Sequence, residues 1–414
     1  MTSEAWLAVA MIVFCVLLLA ANRYPASIVL SGGVVALLGA GLITPRQALA
    51  GFINEGMITV GVLYVVVAGL QQTGAIGWMV DSILGIPRSI RHAQWRMALP
   101  VAAISPFINN TPVVAMFTPA ISAWARRHQI PLSQLMIPLA FLTTASGLCT
   151  LVGSSTNLIV HALLRDKAES PGFSFWELGW IGIPVTITVF LYTVYWSNSR
   201  LPDRVADCGF PDDLSGSMGF RRMLLALAIL LGFVLLATIG HVSTLRSALI
   251  AAGLMLITGC VSVTTAWRAV EWPILLVIAT SFALGTALDT TGAAQSMASA
   301  LIVLTRENVL VSLAMVYMVT ALLTQIVTNN ATAALMFPIA LATARDLQVS
   351  VMPFAVVVLV ASSASFVTPI GYQTNLMVQQ PGGYRFLDYI RFGWPLSLLV
   401  AGVTLGLTPL IWSF

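Results

Sequence analysis

Charge is the scarcest property of this sequence. Only 8% of its 414 residues are Asp, Glu, Lys or Arg, against about 25% in soluble domains. Lysine is almost missing: Lys167, in a polar loop, is the one instance, which excludes chemistry at a buried lysine. His92, His128, His161 and His241 show no ligand spacing, and Cys15, Cys149, Cys208 and Cys260 show no paired spacing. The cysteines read as free thiols, with neither a disulfide framework nor a metal site. A hydrolase or intramembrane protease needs a base or a metal, so the sequence argues against an enzyme, and no cofactor is expected. The formal net charge of +4 does not point to nucleic acid, because the basic residues sit in short loops between apolar runs.

What is present is hydrophobic. The chain is 58% hydrophobic with a mean hydropathy of +0.93. Long apolar runs recur, as membrane-spanning helices require. An all-α polytopic protein of a cell (inner) membrane is expected. The first twenty residues resemble a signal peptide, but Glu4 is the only charge before the apolar run and no basic segment precedes it, so a retained span is expected.

Spans are predicted at 5–22, 26–43 and 56–76, followed by an amphipathic interfacial segment, Gly77 to Arg96. The stretch 97–125 is apolar but carries Pro100, Pro106, Pro112 and Pro119. Proline removes a helical hydrogen bond and kinks or ends a helix, which predicts a re-entrant hairpin whose halves meet at Asn109-Asn110. Residues 131–165 hold Gly153-Ser154-Ser155-Thr156-Asn157 and read as a broken helix, tolerated at membrane depth only against protein or a water-filled cavity. A span at 175–197 and a polar linker, 197–220, complete the first half.

The second half replays the first. Spans fall at 223–240, 245–263 and 273–291, then a hairpin at about 308–345, a broken helix at 353–378 and a final span. Asn329-Asn330 echoes Asn109-Asn110 at a spacing of 220, and Thr291-Gly292-Ala293 echoes Thr73-Gly74-Ala75 at 218. Thr374-Asn375-Leu376 and Gly371 echo Thr156-Asn157-Leu158 and Gly153 at 218, and Phe386, Gly393 and Pro395 echo Phe175, Gly182 and Pro184 at 211. The two units are therefore 1–196 and 221–414. Five crossings per half is odd, so the halves are expected to be inverted repeats, as in many secondary transporters. With both termini outside, 13 of the 19 Lys and Arg fall on the cytoplasmic side together with the linker, in keeping with the positive-inside rule.

Four polar breaks are thus expected to converge near the midplane: two hairpin tips (Asn109-Asn110-Thr111 and Asn329-Asn330-Ala331-Thr332) and two unwound loops (Gly153 to Asn157 and Thr368 to Asn375). Half-helix N-termini suit an anion. Unwound carbonyls with Asn, Ser and Thr oxygens suit a hard cation such as Na⁺. No Asp, Glu, His, Lys or Arg lies in any break, which favours Na⁺ over H⁺ coupling. A channel with the breaks as its filter is the reading from a different class.

These motifs resemble those of the divalent anion/sodium symporters, the SLC13 group of the ion transporter superfamily. The resemblance rests on Asn109-Asn110-Thr111, Asn329-Asn330-Ala331-Thr332 and the paired Gly-x-x-Thr-Asn loops. It implies an elevator-type homodimer carrying an anion and Na⁺. One Na⁺ site would involve Ser105, Asn110 and Gly153; the other, Thr328, Asn330 and Gly371. The anion would sit among Asn109, Asn110, Thr111, Ser154, Ser155, Thr156, Asn157, Asn329, Asn330, Thr332, Tyr372, Gln373, Thr374 and Asn375. Each signature opens with Asn where dicarboxylate members carry Ser, and Ser154-Ser155 and Tyr372-Gln373 replace a proline-rich loop. In this the chain looks like the permease branch linked to sulfate. A Na⁺-driven importer of a small divalent oxyanion, sulfate first, is therefore expected. A dicarboxylate symporter and an arsenite or Na⁺/H⁺ type antiporter are the related alternatives.

Overall fold

The computed structural model describes residues 2–21, 23–74, 84–203, 219–238 and 242–414. Most of the linker 197–220 and the first part of the interfacial segment Gly77 to Arg96 lie outside these residues. Among the described residues all regular structure is helical. The first half runs α1 (Ser3–Ala20), α2 (Ala26–Gly39), α3 (Pro45–Leu49), α4 (Glu55–Gln72), α5 (Ile90–Ile104), α6 (Asn110–Arg127), α7 (Met136–Ser146), α8 (Ser155–Lys167) and α9 (Gly179–Arg200). The second half runs α10 (Phe220–Thr238), α11 (Thr244–Ile257), α12 (Val263–Ala269), α13 (Trp272–Thr290), α14 (Ala293–Thr305), α15 (Val309–Leu323), α16 (Asn329–Asp346), α17 (Val351–Ser363), α18 (Gln373–Gln379) and α19 (Phe386–Ile411).

Several helices are long and apolar enough to cross a membrane, including Gly179–Ser197, Trp272–Thr290 and Phe386–Ile411. Others are shorter than the sequence suggested. The 14-residue helices α2 and α11 reach about 21 Å at 1.5 Å per residue, less than a hydrocarbon core of about 30 Å. The chain turns soon after each through a left-handed glycine, Gly41 (φ 72°) and Gly259 (φ 69°). Gly74 (φ 74°) and Gly292 (φ 72°) form a second such pair. Lacking a Cβ, glycine adopts this conformation without a clash. Both pairs keep the 218-residue spacing, so the repeat extends to backbone conformation.

The first hairpin is α5 and α6, and it begins earlier than expected. Residues 90–96, expected in an interfacial helix, instead form the first turns of α5, with Ser89 accepting a hydrogen bond from the His92 amide. The prolines also divide differently. Pro100 and Pro119 lie inside helices, and Pro112 falls in the first turn of α6, where its missing N–H leaves no intrahelical bond unmade. Of the four, only Pro106 sits in the turn between α5 and α6. The span expected to end at Ser197 continues as helix to Arg200.

Burial explains how the interrupted helices survive. Every residue of α7 and nearly every residue of α17 is buried, so the backbone groups freed at their ends face protein, not lipid. Helix α13 packs on α2 and α16, α8 on α4, α16 and α17, and α18 on α6 and α7. Helices α9 and α19 lie together and press on the two breaks. A Cβ at Gly182 would stand 2.5 Å from the Leu148 carbonyl oxygen, and one at Gly393 would strike the Phe366 carbonyl. The Gly182 and Gly393 echo seen in the sequence is thus a packing requirement.

Candidate functional site

The hairpin tips are built alike. Asn109 ends the first turn region and its side chain accepts from the Asn110 amide at 2.8 Å, opening α6. Ser105 donates to the Thr143 carbonyl (2.7 Å) and to Asn110 Oδ1 (3.3 Å). In the second half Thr324 donates to the Ser362 carbonyl (2.5 Å) and to Asn329 Oδ1 (2.9 Å). The equivalent of Asn110 is therefore Asn329, not Asn330. The doublets match one step out of the register their spacing of 220 suggested. Thr328 then corresponds to Asn109, and Asn330 to Thr111.

The breaks are also built alike. Asn157 Nδ2 donates to the Gly147 and Thr150 carbonyls at 2.9 and 2.7 Å. Asn375 Nδ2 donates to the Ser365 and Thr368 carbonyls at 2.7 and 3.1 Å. Both amides, expected at an anion, use Nδ2 to bridge the ends of their own break. Ser154 accepts from the Thr156 amide and starts α8.

Tip and break meet within each half as well as across. Gly153 is hemmed in by oxygen: a Cβ there would stand 2.5 Å from the Gly147 carbonyl and 2.9 Å from that of Pro106. A Cβ on Gly147 would reach Asn110 Oδ1 at 2.5 Å. Ser105, Asn110 and Gly153 therefore share one small, buried, oxygen-rich region. Its counterpart gathers Thr324, Asn329, Ser365 and Gly371, with the Thr324 carbonyl crowding Gly371. Oxygen donors of this kind suit a hard cation.

Across the halves the contacts are crossed. The first tip meets the second break: Asn110 Nδ2 donates to the Tyr372 hydroxyl at 2.9 Å, and Thr111 Oγ1 to Gln373 Oε1 at 3.4 Å. The second tip meets the first break: Asn330 Oδ1 accepts from Ser155 Oγ at 2.9 Å and Thr156 Oγ1 at 3.1 Å. All four polar breaks come together. Among the buried hydroxyls of the second half without a hydrogen-bond partner among the described residues are those of Thr328, Thr332, Ser363, Ser365 and Thr374, in or beside its tip and break. A buried polar group left unpaired costs about 1–3 kcal/mol, so the cluster has bonding capacity to offer a ligand.

A cleft of about 510 Å³ opens onto the first crossed contact, lined by Thr111 and Gln373 from the contact and by Tyr64, Gln71, Arg268 and Glu271 from α4, α12 and the start of α13. Ser155 of the second contact borders, with Asn109 of the first tip, a space of about 10 Å³. Burial holds the Glu271 carboxyl above the usual carboxylate range. At the far ends of α4 and α13 the molecule is tied shut. Arg165 pairs with Glu55 at 2.9 Å and Lys167 pairs with Asp289. Asn54 donates to Asp166 at 3.0 Å, and Arg345 to the Lys167 carbonyl at 2.8 Å.

Tyr64, Gln71, Arg268 and Glu271 were not anticipated at the site. Gln71, a polar residue inside an apolar run, and the short charged insertion Arg268 to Glu271 between spans were the available signals.

Over residues 9–361 the sequence matches the citrate transporter family. An uncharacterized transporter of Synechocystis sp. is 26% identical, covering 99% of this chain and 98% of that protein. Sodium/sulfate cotransporter 1 of Chlamydomonas reinhardtii is 34% identical over 39% of this chain, a match that spans only 19% of the cotransporter. The crystal structure of the Alcanivorax borkumensis YdaH transporter shares the fold, with a TM-score of 0.66 at 15% identity over 99% of this chain and 98% of that one.

Proposed function

The chain belongs to the citrate transporter family, a family of multi-pass membrane transporters and not of enzymes, and we propose that it imports a small divalent oxyanion, sulfate first, by symport with Na⁺. The observation that carries the reading is the crossed pairing of two neutral, oxygen-rich tips with two unwound breaks. Na⁺ fits the carbonyl, amide and hydroxyl oxygens around Ser105, Asn110 and Gly153, and around Thr324, Asn329 and Gly371. In the second group Thr324 and Asn329 replace Thr328 and Asn330 as the cation-facing pair. The anion fits between Thr111, Ser155, Thr156, Asn330, Tyr372, Gln373 and Thr374, bound by hydroxyl, amide and helix N-terminal N–H groups. Relatives named sodium/sulfate cotransporters support sulfate and Na⁺.

The proposal includes inverted repeats, an elevator movement of the tips and breaks against α1–α4 and α10–α13, a homodimer, and both termini on the outer side. The cleft at Arg268 then faces the cytoplasm, and the Lys167 to Asp289 pair faces out. A second reading, import of citrate or a dicarboxylate, is favoured by the family's own description.

Uptake of radiolabelled sulfate into proteoliposomes tests the proposal. Saturable uptake that requires an inward Na⁺ gradient, and is weakly competed by citrate and succinate, supports it. Uptake driven equally by a pH gradient without Na⁺, or conductance at channel rates, contradicts it.

A further inference from the structure

The tips and breaks hold no cationic side chain, yet the proposed cargo is a dianion that must cross a cleft to reach them. One cation lines that cleft: Arg268, on the short helix α12. Its side chain is exposed and makes no hydrogen bond or ion pair among the described residues. Glu271, in the same lining, does not pair with it within salt-bridge distance. Trp267, its neighbour in the chain, and Trp272 pack ring against ring with centroids 4.9 Å apart, exposed aromatic residues of the kind that mark the membrane–water boundary. Arg268 thus lies where the cleft meets water, with Gln71 on α4 and Gln373 on α18 lining the same space.

We propose that Arg268, with Gln71 and Gln373, forms a second and weaker site for a divalent oxyanion, which receives the cargo between the crossed contact and the open end of the cleft. The inference rests on the anion-transport reading above. A guanidinium binds an oxyanion by charge and by its fork of donors. At a wet surface the attraction is modest, so the site catches the anion without trapping it. Because α12 belongs to the frame and Gln373 to the proposed moving part, the site is complete only while the cleft is open.

The test uses the full-length protein in proteoliposomes, with exchange of labelled sulfate measured from the cleft side. Thiosulfate, succinate and citrate serve as further probes. Arg268→Gln is expected to raise the half-saturating anion concentration about three- to tenfold, with the maximal rate and the Na⁺ half-saturation near wild type. Arg268→Lys should recover most of the loss, and Glu271→Gln should shift the anion value slightly the other way. The Arg268→Gln effect should shrink at high ionic strength and be equal in neutral and anionic vesicles. An unchanged anion half-saturation in a transporting Arg268→Gln protein overturns the proposal. So does an effect confined to anionic vesicles, which would make Arg268 a lipid headgroup contact. If the wild type carries none of the four probes, the transport reading itself falls, and the second site with it.

Discussion

Each crossed contact joins one hairpin tip to the break of the other half, with different residues and different surroundings. Where Asn110 and Thr111 meet Tyr372 and Gln373, a cleft of about 510 Å³ reaches in from the Arg268 end. Where Asn330 meets Ser155 and Thr156, the space that Ser155 borders holds about 10 Å³. At the Lys167 end, ion pairs and hydrogen bonds close the ends of α4 and α13. If the halves are the proposed inverted repeats, two arrangements exist in which either copy is the exposed one. The structure is open at the Arg268 end and carries ion pairs at the other. For the proposed carrier, this asymmetry is the functional content of the repeat: exchanging the roles of the two halves moves the opening from one face to the other.

The comparison can be broken at the tips. Asn110 and Asn329 occupy equivalent positions, each accepting from the hydroxyl five residues earlier; Asn110 also donates to Tyr372 of the opposite break, and Asn330 accepts from the opposite break without any such local bond. If the matched pair holds Na⁺, Asn110→Ala and Asn329→Ala each remove an oxygen bonded to a charge, a bond that contributes about 1.5–3 kcal/mol. The Na⁺ concentration for half-maximal uptake should then rise roughly 10- to 100-fold. Asn330→Ala should leave that value within about twofold and raise the anion half-saturation instead. Equal effects of Asn329 and Asn330 on Na⁺ would restore the register suggested by the doublets alone.

A smaller effect is expected at the tied end. Lys167→Ala removes the ion pair to Asp289, whose side chains are 19% and 33% exposed. A partly exposed pair contributes about 0–1 kcal/mol, so the balance between the two arrangements should shift by at most about fivefold. Maximal uptake rate should change more than either half-saturation, and Asp289→Asn should act in the same direction. A large fall in thermal stability in place of a rate change would make the pair a structural tie.

Much of this was legible in the sequence. The turn of the first hairpin, the break at Gly153 to Asn157 and their echoes all appear where polar groups and prolines interrupt apolar runs, because unpaired backbone in lipid must be shielded, although the hairpin spans 90–127 and not 97–125. The register of the tips was not legible, since an Asn-Asn doublet aligns with its echo in two ways and only the Ser105 and Thr324 bonds separate them. Pro100 and Pro119 misled because a helix end was inferred where packing holds a continuous helix. The bridging role of the Asn157 and Asn375 amides was not legible, because nothing in their local pattern shows that the chain folds back to place two carbonyls around each Nδ2. Tyr64, Gln71, Arg268 and Glu271 reach the cleft from other helices, a juxtaposition that local periodicity does not carry.

Cysteine accessibility tests the asymmetry most directly. Gln373→Cys and Ser155→Cys, each in a protein whose four native cysteines are changed to Ser, would be exposed to a membrane-impermeant maleimide applied from either side of oriented vesicles. Gln373→Cys should label from the Arg268 side only, and Ser155→Cys should be protected from both sides. With Na⁺ and sulfate cycling, Ser155→Cys should become reactive from the Lys167 side as Gln373→Cys becomes protected. Labelling of both positions from the same side, unchanged by Na⁺ and sulfate, would contradict the account.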